Sequence, residues 1–292
     1  MPSSMIGESR GILHSRAGEE AFHLALQPAT PALTPFVERY WIVTWDLRGQ
    51  QPYEQRTLPA PSVQMAFGPD FSRIVGVTRG VFSCLLEDVG RILGVRFRPG
   101  CFHPFLRAPL SSITDRVLAV DEVFGDAGRA LARAVRDADE AGEPDGTLTG
   151  LVDRFLCAVA PEQEPAAEEA ARLVELIAAD PRITRVDALA RRSGMSLRTL
   201  QRLYAEYVGV GPKWVIRRYR IYEAAQRVAS GGEADLARVA LDLGYFDQAH
   251  FTHDFTAVVG SPPDRYARDC ALVRQSSYPD RRVRNRSALR SR

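Results

Sequence analysis

"LARRSGMSLRTLQRLYAEYVGVGP" (189–212) and "VALDLGYFDQAHFTHDFTAVVGSPP" (239–263) are two copies of one pattern. Leu189-Ala190 aligns with Val239-Ala240, and Gly194 with Gly244. After one extra residue in the second copy, Ser196 aligns with Asp247. Leu200 then matches Phe251, Tyr204 matches Phe255, Val208 matches Val259, Gly209 matches Gly260, and Pro212 matches Pro263. Each copy reads as a helix closed by glycine, a short turn, an N-cap residue and a second helix. That order is a helix-turn-helix.

The repeat sorts residues by face. Leu200, Leu203, Tyr204 and Val208 form the inward stripe of the first recognition helix, and Phe251, Phe255 and Val259 that of the second. The outward faces are then Arg198, Thr199, Gln201 and Arg202 in the first copy, and Gln248, Ala249, Thr252 and His253 in the second. Arginine and glutamine make bidentate contacts with guanine and adenine edges. One exposed Arg/Gln face is ordinarily a solvated surface. Two of them, joined by a helix of about twenty residues and so about 30 Å long, have the spacing of successive major grooves on one side of B-DNA. These eight residues are the predicted site, and double-stranded DNA is the predicted partner. His250, His253 and Asp254 invite a metal or acid/base reading. The repeat instead places His253 on the outward face and Asp247 at the helix cap.

Residues from about 170 to 268 resemble the AraC/XylS-type DNA-binding domain. The second copy carries that family's signature, G-[FY]-x-D-x-x-[HY]-F-x-x-x-F followed by G-x-[SPT]-P and an aromatic residue, as "GYFDQAHFTHDF", "GSPP" and Tyr266. The resemblance implies a transcription regulator that binds DNA through two helix-turn-helix units. His250 falls at the signature histidine of this family, which implies a place at the edge of the helical core. Further forward, "PALTPFVERYWIVTWDLRGQQPYEQRTLPAPSVQMAFG" (31–68) and "LGVRFRPGCFHPFL" (93–106) resemble a poorly characterised, cupin-like domain that precedes such DNA-binding domains. That second resemblance brings no ligand. The second copy also departs from the family pattern. Ala249 stands where serine is common, His253 where arginine is, and Thr256-Ala257 where a basic pair is. Asp254 adds a negative charge. The first copy has Arg198 and Arg202, with Arg191 and Arg192 nearby, so it is expected to dominate DNA reading. A histidine in place of arginine is only partly charged near neutral pH.

The rest of the chain fits an α+β protein. The 292 residues suggest about two domains. Hydrophobic residues are 45% and charged residues 25%, as in an ordinary globular protein, and a net charge of +2 says little about partners. From about 20 to 110, short runs rich in Val, Ile and aromatics are separated by Pro and Gly: "AFHLAL", "RYWIVTWDL", "SVQMAFG", "SRIVGVT", "VFSCLLE" and "RILGVRFRPG". They predict a barrel or sandwich. Residues 121–160 switch to helical spacing, and "APEQEPAAEE" (160–169) reads as a linker. The expected organisation is a β-rich regulatory or dimerisation domain with C-terminal helices over 1–160, a double helix-turn-helix domain over 161–270, and an Arg-rich tail over 271–292 read as disordered. That tail holds seven arginines against the single acid Asp280 and reads as a DNA-binding arm or as a solubilising tail.

Other chemistry finds little footing. There is no G-x-S-x-G, P-loop or G-x-G-x-x-G, so enzyme activity is not expected; the competing reading is a β-barrel enzyme or small-molecule-binding protein with a helical protein-interaction domain. The four cysteines lie far apart, which suits a reducing cytosol. No signal peptide or membrane span is expected, so the location is read as cytoplasmic. Cys101 and His103 lack the further ligands a metal needs, and no metal or cofactor is expected. If the β-rich half is a small barrel, its mouth is the default pocket. Trp41, Trp45, Phe67, Arg96 and Arg98 are the candidate lining, against the plainer reading that the aromatics fill the core. A small-molecule effector and a homodimer joined through 121–160 stay open.

Overall fold

The computed structural model describes residues 21–229 and 236–276. Eight strands come first: β1 (His23–Gln27), β2 (Val37–Asp46), β3 (Tyr53–Thr57), β4 (Gln64–Gly68), β5 (Phe71–Val75), β6 (Phe82–Leu86), β7 (Val89–Phe97) and β8 (Val117–Ala119). They form a six-stranded sheet in the order β1-β2-β7-β4-β5-β8 and a separate β3-β6 pair. The described pairs of both sheets are antiparallel. All six runs expected from the sequence are strands. β3 and β8 were not expected. Tyr53–Thr57, "YEQRT", is mostly polar, and Val117–Ala119 is three residues long.

The large sheet has two different faces because side chains alternate along a strand. Tyr40, Ile42, Met65, Phe67, Ile74, Leu93, Val95 and Phe97 enter the main core, with residues of α2 (Val120–Glu140) and α3 (Asp145–Val159). A bulge between Val37 and Arg39 shifts the register, which puts Val37 on the same inward face as Tyr40. The Tyr40 hydroxyl donates to Asp153 Oδ1 of α3 at 2.8 Å. The other face looks toward the β3-β6 pair, and a cavity lies there.

The helical half follows a short helix α1 (His103–Leu106) and the α2–α3 pair. It comprises α4 (Pro165–Ala179), α5 (Val186–Ser193), α6 (Leu197–Leu203) running into a π turn (Tyr204–Val208), α7 (Pro212–Ala229), α8 (Leu236–Asp242), α9 (Gln248–Val259) and α10 (Pro263–Ser276). The expected linker over 160–169 is shorter than its composition suggests. Helix α4 begins at Pro165, where the missing N–H of proline costs nothing at the first helical position. Helix α10 continues to Ser276, so the expected tail is helical over its first six residues. The rest of the tail lies outside the described residues.

Two cores serve the two helix-turn-helix units. The first gathers Leu173, Val174 and Ile177 of α4 with Leu189, Leu200, Tyr204, Val208 and Val215. The second gathers Ile221, Val228, Leu243, Tyr245, Phe251, Phe255, Val259 and Tyr266. Each also takes one residue from the β-rich half: Val77 after β5 joins the first and Leu58 after β3 joins the second. Both are buried, at 1% and 3% exposure.

Candidate nucleic-acid interface

In the first unit, α5 ends at Gly194, whose left-handed φ of 68° suits a glycine C-cap. Ser196 then caps α6, its Oγ accepting from the Thr199 backbone N–H at 3.1 Å. Leu200, Tyr204 and Val208 are fully buried and Leu203 half-buried, as the repeat requires. Burial pushes the Tyr204 hydroxyl well above its ordinary pKa, and it has no hydrogen-bond partner in the structure, so its ring serves packing. Arg198, Thr199, Gln201 and Arg202 all lie exposed on the opposite side. Leu197, 49% exposed in the first turn, shares that surface. The repeat gave no cue to Leu197, because its counterpart in the second copy is the polar Gln248.

The second unit repeats the design. Asp247 caps α9, its Oδ1 accepting from the His250 backbone N–H at 2.7 Å. Phe251, Phe255 and Val259 are buried. Gln248, Ala249 and His253 are exposed and Thr252 is half-buried. With Thr256 and Ala257 these four line an open surface concavity. The eight residues assigned from the sequence therefore occupy two outward helix faces.

Charge is distributed differently from the sequence reading. Arg191 pairs with Asp187 at 3.1 Å, and Arg192 with Asp180 at 2.5 Å. Those two guanidinium groups are engaged within the protein. Asp180 also accepts from the Arg182 backbone N–H and from its guanidinium. These bonds, with that of Arg182 foremost, hold its carboxyl well below the usual carboxylate range. Among the described residues, Arg198 and Arg202 form no ion pair. Asp254 turns mostly inward, although its Oδ1 still lies 3.7 Å from His253 Nδ1 on the outer face. Its side chain is only 13% exposed, pairs with Arg217 of α7 at 2.9 Å and accepts from the Tyr245 hydroxyl at 3.3 Å. His250 sits against the Tyr245 ring, with centroids 5.3 Å apart, but is more exposed than a core-edge residue, at 59%.

The other motifs find structural roles. The Cys101 thiol is buried beside the Pro99 carbonyl, and burial pushes its pKa up to about 11. His103 bridges the halves: Nδ1 lies 2.9 Å from Glu164 and Nε2 3.0 Å from Glu206, just beyond α6. Of the five pocket candidates, Trp41 and Arg96 line the cavity. Phe67 faces the main core, having the opposite strand parity to cavity-lining Ala66. Trp45 lies over Gly90 and donates to the Glu87 carbonyl at 2.9 Å. Arg98, beyond the end of β7, pairs with Glu175 of α4 at 2.9 Å. Among the described residues no helix is long and apolar enough to cross a membrane.

Comparison with known proteins follows this division. A family model described as a helix-turn-helix domain matches residues 189–269, and a domain of unknown function (DUF6597) matches residues 26–119. No curated protein matches the chain. Among solved structures, a transcriptional regulator with an AraC-type DNA-binding domain from Chromobacterium violaceum is 23% identical. It covers 34% of this chain and 88% of its own, with a TM-score of 0.31. ToxT from Vibrio cholerae O395 is 14% identical, over 85% of this chain and 97% of its own, with a TM-score of 0.38. Wild-type ToxT from Vibrio cholerae strain SCE256, with an unsaturated fatty acid bound, is 12% identical over 85% and 91%, with a TM-score of 0.35. These similarities in overall shape are loose.

Proposed function

We propose that this chain is an AraC-type transcription regulator, which reads DNA with α6 and α9 in successive major grooves and is controlled through its β-rich half. The paired outward faces carry the reading. Two helices capped alike, with aromatic stripes turned inward, present Arg198, Thr199, Gln201 and Arg202, and Gln248, Ala249, Thr252 and His253. The 18-residue helix α7 joins the units and spans about 27 Å at 1.5 Å per residue, close to one turn of B-DNA. Residues 1–160 serve as the regulatory unit and 161–270 as the DNA-binding unit.

The first unit dominates. Arg198 and Arg202 are exposed and free of carboxylates among the described residues, whereas α9 offers glutamine, alanine, threonine and histidine. Replacing Arg202 with alanine is expected to weaken binding to a selected duplex by about 1–3 kcal/mol, and replacing His253 by far less. Equal losses in a gel-shift titration contradict the asymmetry.

Control is supported by two loops that lead double lives. Leu58 and Pro59 line the cavity of the β-rich half, yet Leu58 completes the second core and the Pro59 carbonyl accepts a hydrogen bond from Arg218 of α7. Gly76 and Thr78 line the same cavity on either side of Val77, which completes the first core. A ligand that shifts either loop therefore acts on the seating of a helix-turn-helix unit. The reading is tested by DNA affinity at saturating ligand: a change supports control, and constant affinity contradicts it.

A further inference from the structure

The cavity between the two sheets measures about 200 Å³, roughly seven waters at the ~30 Å³ each takes in the liquid. Its walls are largely apolar. One cross-strand row of the large sheet runs Leu26–Trp41–Gly94–Ala66–Arg73 by direct register. The Trp41 indole folds over Gly94, so the open floor of this row is Ala66, between that indole and the Arg73 guanidinium. Trp41 lies over Gly94, where any Cβ would strike its ring, and is held by a 3.0 Å hydrogen bond from Nε1 to Gln64 Oε1.

Charge in this cavity is unbalanced. Arg39, Arg73 and Arg96 line it, and among the described residues no aspartate or glutamate does. Glu38, at the β2 bulge, lies 2.8 Å from Arg39 and 3.3 Å from Arg96, so one carboxylate serves two guanidinium groups. Arg73 has no carboxylate within ion-pair distance among the described residues. Its Nε is buried without a hydrogen-bond partner, and its guanidinium rests 3.9 Å from the Phe71 ring centroid. A ring face replaces only part of the lost hydration, and burial lowers the pKa of Arg73, opposed in part by Cys84. A cation left in a low-dielectric pocket is costly unless an anion completes it.

We infer that the cavity binds a small amphipathic organic acid, its carboxylate on Arg73 and its apolar body over Ala66 against the Trp41 ring. This deepens the control reading above by naming the chemistry of the controlling ligand, and it rests on that reading for its regulatory meaning. The carboxylate forms the ion pair that Arg73 lacks, and a planar guanidinium can hold it in bidentate geometry. The size allows a single ring or a short aliphatic chain, and the arginines discriminate against uncharged analogues. Gln55 Oε1, also buried without a partner, accepts one donor group if the ligand carries it.

The test is titration of the full chain with 3-phenylpropionate and hexanoate, followed by calorimetry and by tryptophan fluorescence. The uncharged controls are 3-phenylpropanol and hexanamide. Wild-type protein is expected to bind both acids at least tenfold more tightly than the controls. Arg73→Gln should lose that preference while still binding the controls as wild type does, which also shows that its cavity is intact. Glu38→Gln, which neutralises the carboxylate paired with Arg39 and Arg96, should tighten acid binding. Acids that bind no better than the controls, or that bind Arg73→Gln as well as wild type, overturn the inference, as does failure of both acids to bind. Acids that bind through Arg73 without altering DNA affinity uphold the ligand assignment and refute only the control reading.

Discussion

Replacing Leu58 with alanine isolates the contact on which coupling between the halves depends. Leu58 is 3% exposed and belongs to the buried cluster that holds Ile221, Ala224, Ala225, Phe251 and Phe255 of the second unit. Burying a leucine contributes about 1.5–3 kcal/mol by transfer alone, and the cavity left by truncation raises the typical cost to about 2–5 kcal/mol. The site lies at the meeting of two halves, where neighbours can partly close in, so about 3 kcal/mol is a fair central value. That corresponds to roughly a hundredfold shift in a local opening equilibrium. Native-state hydrogen exchange reads it directly: amides of α7 and α9 should exchange on the order of a hundredfold faster in Leu58→Ala, with the main-core strands β2 and β7 little changed. Leu85, 57% exposed on β6, is the matched control, and its truncation should alter exchange by less than about twofold, as for surface changes generally. Exchange in α7 and α9 within twofold of wild type after Leu58→Ala would refute the idea that the β-rich half seals the second unit.

Two further outcomes follow from the site itself. Ser196→Ala removes the cap of α6 and should cost about 1 kcal/mol in urea unfolding; an unchanged midpoint contradicts the capping assignment. Asp180→Asn removes the negative charge shared by Arg182 and Arg192 and leaves one neutral amide oxygen as acceptor. Because the folded carboxyl titrates below its ordinary range, its stabilisation is present above about pH 4 and fades as pH falls toward the folded value. Wild type should exceed the variant in stability at pH 7, and the gap should close in acid; a gap independent of pH contradicts the ion-pair role.

The repeat made the DNA-binding half readable because a helix-turn-helix spaces its caps, glycines and aromatic stripe along one local segment. Ser196, Asp247, Gly194 and Gly244 and the stripe from Leu200 to Val259 all act within a few residues of themselves. The strands were readable from alternation, except where alternation was masked by charge in β3 or cut to three residues in β8. Partners distant in sequence were not readable. Nothing near Arg192 told that Asp180 would occupy it, nor that Asp254 would turn inward to Arg217; the i,i+4 pair of Asp187 and Arg191 was legible in the spacing but was not read. The cavity was half visible for the same reason. Trp41 and Arg96 lie on its face, but Arg73 and the double role of Leu58 and Val77 depend on how sheets and helices meet. Arg73 left a weak signal, a lone cation in the alternating run "SRIVGVT".

The most direct measurement is a hydroxyl-radical footprint of the full chain on a duplex selected by that chain from a random pool. Two protected patches on one face of the DNA, about one helical turn apart, are predicted. Arg202→Ala should erase base preference under the first patch while leaving the second in register. A single patch, or two patches unaffected by Arg202→Ala, would contradict the assignment of α6 and α9 as paired recognition helices.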